Sequence, residues 1–179
     1  GSKFEGGQRV PFIMNWPGHV PAGKTYNGLT STMDIFPTSF KLGGGIKTPR
    51  PLDGVDLMPF LTGTAAAIPH QNLFWKKLEG SAVRSGNWKM IQTQGLPTML
   101  YNLQTDLSEY KNIAEQHPEK VKELQTLYRG WDKQTVPAQW GEAERYVEVR
   151  RNDYIRFRDS GRPLKLNSPR KKKSKKPKK

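Results

Sequence analysis

GSKFEGGQRVPFIMNWP, residues 1–17, is the stretch on which the reading of this chain turns. A polar clause, Glu5-Gly6-Gly7-Gln8-Arg9, leads into an apolar run, Val10-Pro11-Phe12-Ile13-Met14, which stops at Asn15-Trp16-Pro17-Gly18. The order is turn, strand, turn. Adjacent glycines permit positive φ or close backbone approach, which a residue with Cβ resists. Glu5 before them and Arg9 after them can pair across the turn, and Lys3 with Arg9 could meet an anion there. The apolar run does not alternate. It predicts a strand buried on both faces, as in a parallel sheet, with Pro11 near its start where a missing N–H is tolerated. The chain opens inside this clause without a start methionine, and the expectation is the tail end of a larger protein.

Charge is unevenly placed. The 179 residues carry 30 Lys and Arg against 16 Asp and Glu, a net charge of +14. Residues 168–179, SPRKKKSKKPKK, hold eight of those cations and no acid, which leaves 22 basic against 16 acidic residues elsewhere. The body is therefore mildly basic. Hydrophobic content is 34%, low for a self-sufficient core. With no cysteine there is no disulfide framework, thiolate metal site or thiol nucleophile in this stretch. No apolar run approaches the roughly twenty residues that a membrane-spanning helix needs.

Residues 17–25 form a Pro/Gly loop, and a short strand is expected over Tyr26–Ser31. Thr32-Met33-Asp34 offers cap chemistry for a short helix carrying Ile35, Phe36, Phe40 and Leu42, with Pro37 in its first turn. Gly43-Gly44-Gly45 ends that helix. It is no phosphate cradle, because neither a following helix nor a Lys-Ser/Thr pair is present. Asp53-Gly54 is a turn, and Asp56 caps a short helix over Leu57–Leu61. Strands are predicted over 72–77, 81–84, 87–93 and 98–103, and their short links favour antiparallel pairing. Pro118 opens a helix over 118–133, where Val121, Leu124, Tyr128 and Trp131 recur at +3, +4 and +3 as one apolar stripe facing the strands. The charged stretch Glu142–Arg158 suits a helix or an extended arm equally, and disorder is expected from Gly161 onward.

Converging catalytic groups are scarce. His19, His70 and His117 show no metal-ligand spacing. Asp53 and Asp56 belong to a turn and a cap rather than to a metal pair. His70, just before the first strand, is the best single candidate for lining a substrate pocket, although an exposed loop histidine is the more economical reading.

A family resemblance does more. Glu5-Gly6-Gly7-x-Arg9-Val10-Pro11-Phe12, Trp16-Pro17-Gly18 and Pro21-Ala22-Gly23 resemble the C-terminal signature of the sulfatases. Asp34-Ile35-Phe36-Pro37-Thr38, Pro51-Leu52-Asp53-Gly54-Val55-Asp56-Leu57 and Leu61-Thr62-Gly63 are similar to the segments that follow. So are His70 with Leu73-Phe74-Trp75, Ala82-Val83-Arg84-x-Gly86-x-Trp88-Lys89, Leu100-Tyr101-Asn102-Leu103 and Asp106 to Ala114. Leu107 replaces the usual Pro and Ile113 the usual Leu. The in-order matches run from about residue 4 to residue 133.

The resemblance implies an α/β, alkaline phosphatase-like fold, of which this chain is the C-terminal part. Residues 1–69 would be the end of the large α/β catalytic domain. Residues 70–133 would be a small antiparallel sheet with the packed helix 118–133. Residues 134–165 would be an extension, and 166–179 a disordered Lys-rich tail. The implied activity is sulfate ester hydrolysis by a formylglycine made from a Cys or Ser, beside a Ca²⁺ held by Asp and Asn or Gln side chains. Those motifs are absent here. The family's active-site Lys, four residues before the aromatic that Phe4 matches, would stand one place before Gly1. Lys3 does not occupy that place, so no catalytic, cofactor or metal residue is carried onto this chain. The implied partners are a sulfated small molecule or sulfated glycan and the missing N-terminal catalytic part. Export to the periplasm or outside the cell is the family expectation. A phosphodiesterase or phosphonate hydrolase is the nearest rival. A rival of another class is a non-catalytic polyanion-binding protein acting through the tail. The tail lacks interleaved aromatics and follows no nucleic-acid fold motif, which disfavours nucleic acid.

Overall fold

A four-stranded antiparallel sheet in the order β1-β2-β3-β4 is the centre of the molecule, seen in a computed structural model that describes residues 3–78, 80–137 and 144–160. The strands are β1 (Asn72–Lys77), β2 (Gly80–Ser85), β3 (Trp88–Thr93) and β4 (Met99–Asn102), each joined to the next by a short turn as the sequence predicts. Gly80 is required where β2 begins: its φ is +151°, and a Cβ there would sit 2.0 Å from the carbonyl oxygen of Gln92.

Alternation along the strands sorts side chains onto two faces. Phe74, Val83, Met90 and Leu100 are register partners on one face. Helix α4 (Pro118–Asp132) lies there, with Leu124 buried among Val83, Met90 and Leu100, and Trp131 stacked on Phe74 at 5.1 Å. The other face carries Ala82, Ile91, Met99 and Tyr101. It is covered by Phe4 from the chain's opening and Tyr154 from helix α5 (Glu144–Ser160). Of the two readings for 142–158, the helix is the one observed. The tail from Gly161 lies outside the described residues.

The free edge of β4 is closed by a loop. Asn112 accepts the Leu100 N–H at 2.9 Å and gives its own amide to the Thr98 carbonyl at 3.2 Å, and Ile113 N–H donates to the Leu100 carbonyl. An edge with its hydrogen bonds taken offers no template for another strand.

The opening segment differs from expectation. Glu5–Gln8 is one helical turn, α1, and Gly6 and Gly7 do not take positive φ. Val10–Met14 is not a strand: Val10 is 61% exposed, Phe12 52% and Ile13 87%, and no described strand pairs with it. A strand buried on both faces needs neighbours on both, and the described sheet pairs only its own four strands. Tyr26–Ser31 is likewise irregular. Ser31, rather than a residue of 32–34, caps the next turn: its Oγ accepts the Met33 N–H and its own N–H donates to Asp34 Oδ2 at 2.7 Å. Helix α2 (Ile35–Leu42) and the single turn α3 (Met58–Leu61) follow; Leu57 rather than Asp56 is the N-cap of α3, and Asp56, one residue earlier, accepts the Met58 N–H through Oδ1.

Leu124 sits where the helix stripe meets the sheet. Leu124→Ala should cost about 2–5 kcal/mol in urea unfolding of this chain, against about 0.5 kcal/mol or less for the exposed Lys122→Ala. Equal midpoints for the two variants would refute that placement of α4.

Candidate functional site

Arg84 and Lys89 face each other across the β2–β3 hairpin. Like charges placed directly opposite repel, so the pair needs a carboxylate between its members. Glu5 provides it. The α1 turn lowers its side chain onto this face, where Oε1 lies 2.8 Å from Lys89 Nζ and Oε2 lies 3.1 Å from Arg84. Arg9, one helical turn on, reaches the same carboxylate at 3.9 Å from a largely exposed position, so the Glu5–Arg9 pairing read from sequence is present but is the loosest contact.

A second acid completes the cluster. Glu109 is buried, with Oε1 3.0 Å from Lys89 Nζ, while its Oε2 accepts the backbone N–H of Glu5. Its backbone takes a φ of 57°, an unfavourable conformation for a residue with Cβ. The flanking loop holds it there: Asp106 accepts the Tyr110 and Lys111 N–H groups, and Asn112 staples β4. Lys89, fully buried, thus lies between two carboxylates, with the Trp75 ring 5.8 Å away. Burial pushes the Glu109 carboxyl above the usual glutamate range, partly offset by Lys89 and by the Glu5 N–H. Burial, then the charge of Glu109, pushes the neighbouring Tyr101 phenol far up. Burial also lowers Arg84, against the pull of Glu5.

This geometry holds rather than reacts. Lys89 is committed to two acids, and both acids are committed to cations and a backbone donor. Lys3 is buried as well, with its N–H donated to Tyr154 Oη at 3.1 Å and its ammonium over the Tyr154 ring. An exposed anion site formed by Lys3 and Arg9 is therefore not what is seen.

The second polar centre answers the question of His70. It is neither an exposed loop residue nor loosely placed: Nε2 lies 2.7 Å from Asp34 Oδ1, with the ring largely buried. Asp34 also accepts the Val55 N–H at 3.0 Å, and Thr38 donates to the Asp34 carbonyl while accepting the Leu57 N–H. Gly54 makes this possible, because a Cβ there would stand 2.1 Å from the Met33 carbonyl oxygen. His70 is thus a tie between the α2 turn and the sheet. His19 stacks on Trp16 at the surface, His117 lies against Trp88, and Asp53 is exposed.

Among the described residues no group of three or more acids, histidines or cysteines could hold a metal ion. The buried carboxylates Glu5, Asp34 and Glu109 are all otherwise engaged, and no Cys or Ser of the chain stands in a Cys/Ser-x-Pro/Ala-x-Arg motif from which a formylglycine could be made. The residues present do not fit either group, and no chemical step is drawn through one.

Glu5, Lys89 and Glu109 come from three separate motifs of one pattern, and residues 3–132 match the family model described as N-sulphoglucosamine sulphohydrolase, C-terminal. The chain belongs to the sulfatase family. It corresponds to the C-terminal region and has the alkaline phosphatase-like α/β class of fold. Arylsulfatase A of Bos taurus is 32% identical over 166 residues, covering 74% of this chain and 32% of that protein. Arylsulfatase D of Homo sapiens is 47% identical over 72 residues, 40% of this chain and 12% of that one. A solved structure from Bacteroides thetaiotaomicron, described under the metabolism of multiple glycosaminoglycans, superimposes with a TM-score of 0.58 at 30% identity, covering 69% of this chain and 29% of its own. The chain spans a third or less of the length of the curated relatives it matches.

Removing the shared cation should be costly. Lys89→Met leaves two buried acids facing each other, and a loss of about 3–5 kcal/mol is expected at neutral pH. Urea midpoints at pH 7 and pH 4 check it, with a smaller loss at pH 4, where Glu109 can take up a proton. An equal loss at both pH values would argue against the cluster.

The raised Glu109 carboxyl gives a further expectation. The folded state holds that proton more tightly than the unfolded chain does. Its stabilisation is full below about pH 4.3 and disappears as the pH climbs through the raised native value, with a slope of at most about 1.4 kcal/mol per pH unit. The parent should show this slope relative to Glu109→Gln. Parallel curves for the two proteins would remove the effect.

Proposed function

We propose that this chain is the supporting part of a sulfate ester hydrolase. In this reading residues 1–69 end the large catalytic domain. Residues 70–133 form the C-terminal subdomain that buttresses it, and 134–165 extend it. The formylglycine, the Ca²⁺ ligands and the active-site Lys just before Gly1 belong to an N-terminal part that this chain lacks. The formylglycine would supply the nucleophile there. What this chain's own residues do is hold the backbone that leads out of that site.

One observation carries the proposal. The segment immediately following the expected Lys is fixed by a buried ionic cluster assembled from three motifs, Glu5, Lys89 and Glu109. Such a fixation is costly, since buried ions are expensive to desolvate, and what it supplies is a defined orientation of the segment. The exposed apolar run Val10–Met14 fits the same reading as a strand that joins the parallel sheet of the missing part. The substrate is a sulfated small molecule or a sulfated glycan, and the glycosaminoglycan context of the solved relative supports the second. Export fits the family. Among the described residues no helix is long and apolar enough to cross a membrane.

The test compares this chain alone with the longer protein that includes the upstream residues, each assayed on an aryl sulfate, a sulfated glucosamine and a phosphonate monoester. Sulfate release is expected only from the longer protein. Sulfate turnover by this chain alone, or hydrolysis of the phosphonate and of no sulfate ester, would overturn the proposal.

A further inference from the structure

Helix α5 begins after Asp132, where the family match ends, so nothing in the shared pattern assigns it a role. One of its residues nevertheless reaches the chain's opening. Tyr154 is buried in the cluster that contains Phe4, Ile91, Met99 and Tyr101. Its Oη accepts the Lys3 N–H at 3.1 Å, its ring lies 5.1 Å from that of Phe4, and the Lys3 ammonium sits 5.3 Å from the ring centroid. Two residues on, the Glu5 N–H is held by Glu109. Between the two anchors, Phe4 is wedged against Tyr101 and Tyr154. Three successive residues are therefore fixed, and α5 supplies contacts to the first of them.

We propose that Tyr154 is a positioning residue for the catalytic segment. Holding the Lys3 backbone, it sets where the chain emerges toward the residue before Gly1. This rests on the sulfatase reading, which places the active-site Lys there. An extended chain spans about 3.3–3.6 Å per residue, so the three steps from Lys3 to that position leave it at most about 10 Å of reach. The anchor at Lys3 then limits how far the backbone of that residue can stray. Glu109 supports the segment from behind, but Tyr154 holds the residue nearer the chemistry. Its hydroxyl is the part that matters for this role, while its ring serves packing.

Tyr154→Phe separates those two contributions, since it keeps the ring on Phe4 and removes the acceptor. Amide hydrogen exchange at Lys3 in this chain should quicken about two- to tenfold, as expected for one lost hydrogen bond. Exchange in β3 and α4 should stay as it was. In the longer protein, kcat on an aryl sulfate should fall about three- to tenfold with KM and the unfolding midpoint unchanged, because a misplaced catalytic group weakens the reaction more than binding. Unchanged exchange at Lys3 overturns the contact. A lowered midpoint with kcat intact overturns positioning in favour of simple packing. If the parent protein released no sulfate, the sulfatase reading would fail instead, and exchange at Lys3 would still decide the contact.

Discussion

A lysine ammonium taken wholly out of water is the constraint around which this structure is arranged. Lys89 projects from the middle strands of a small sheet into the face that also buries Ile91, Met99 and Tyr101. Desolvating a cation there is tolerable only with full partnership. One carboxylate would balance the charge of Lys89 but not that of Arg84 beside it. The molecule uses two, Glu5 from the opening segment and Glu109 from the loop beyond β4. Each acid has a second duty. Glu5 joins α1 to the sheet, and Glu109 captures the N–H of Glu5 and so grips the same turn through its backbone. The cluster is a fastening whose parts are useless singly.

The two faces of the sheet divide the labour. The face under α4 is apolar and aromatic, with Leu124 at its centre, and it supplies ordinary core stability. The opposite face mixes apolar residues with the ionic cluster, and it holds the segment that leads toward the expected chemistry. A purely apolar contact could have held that segment, but with less control over orientation. Directional partners fix a turn in one place. The left-handed backbone at Glu109 belongs to the same design, since it aims the carboxylate back under α1.

What the sequence made legible was local. Hairpins joined by two residues, two residues and five residues leave one pairing, and all four strands lie within a residue of where alternation and turns place them. The helix from Pro118 was readable because its stripe repeats within one element. The apolar run Val10–Met14 misled because a continuous run states a need for burial without naming a partner, and no described strand pairs with it. The ionic cluster was missed for a related reason. Glu5 lies 84 residues from Lys89 and 104 from Glu109, and no local period links them. One clue was present: Arg84 and Lys89 flank a tight turn, where two like charges on one face call for an acid from elsewhere. His70 was read as a pocket residue or an exposed loop residue, and its tie to Asp34 was missed because that partner is 36 positions away and only the fold joins them.

The contacts of Lys3 and Glu5 also bear on the order of assembly. Their partners, Tyr154 and Glu109, lie 151 and 104 positions further along. On a ribosome the opening segment is among the first of these residues to emerge, yet neither partner exists until the sheet and much of the C-terminal region have been made. Hairpins close through near neighbours, whereas these anchors must wait for distant ones. The part of the chain nearest the expected chemistry is therefore synthesised early and secured late, so an unfinished chain holds it in no fixed geometry.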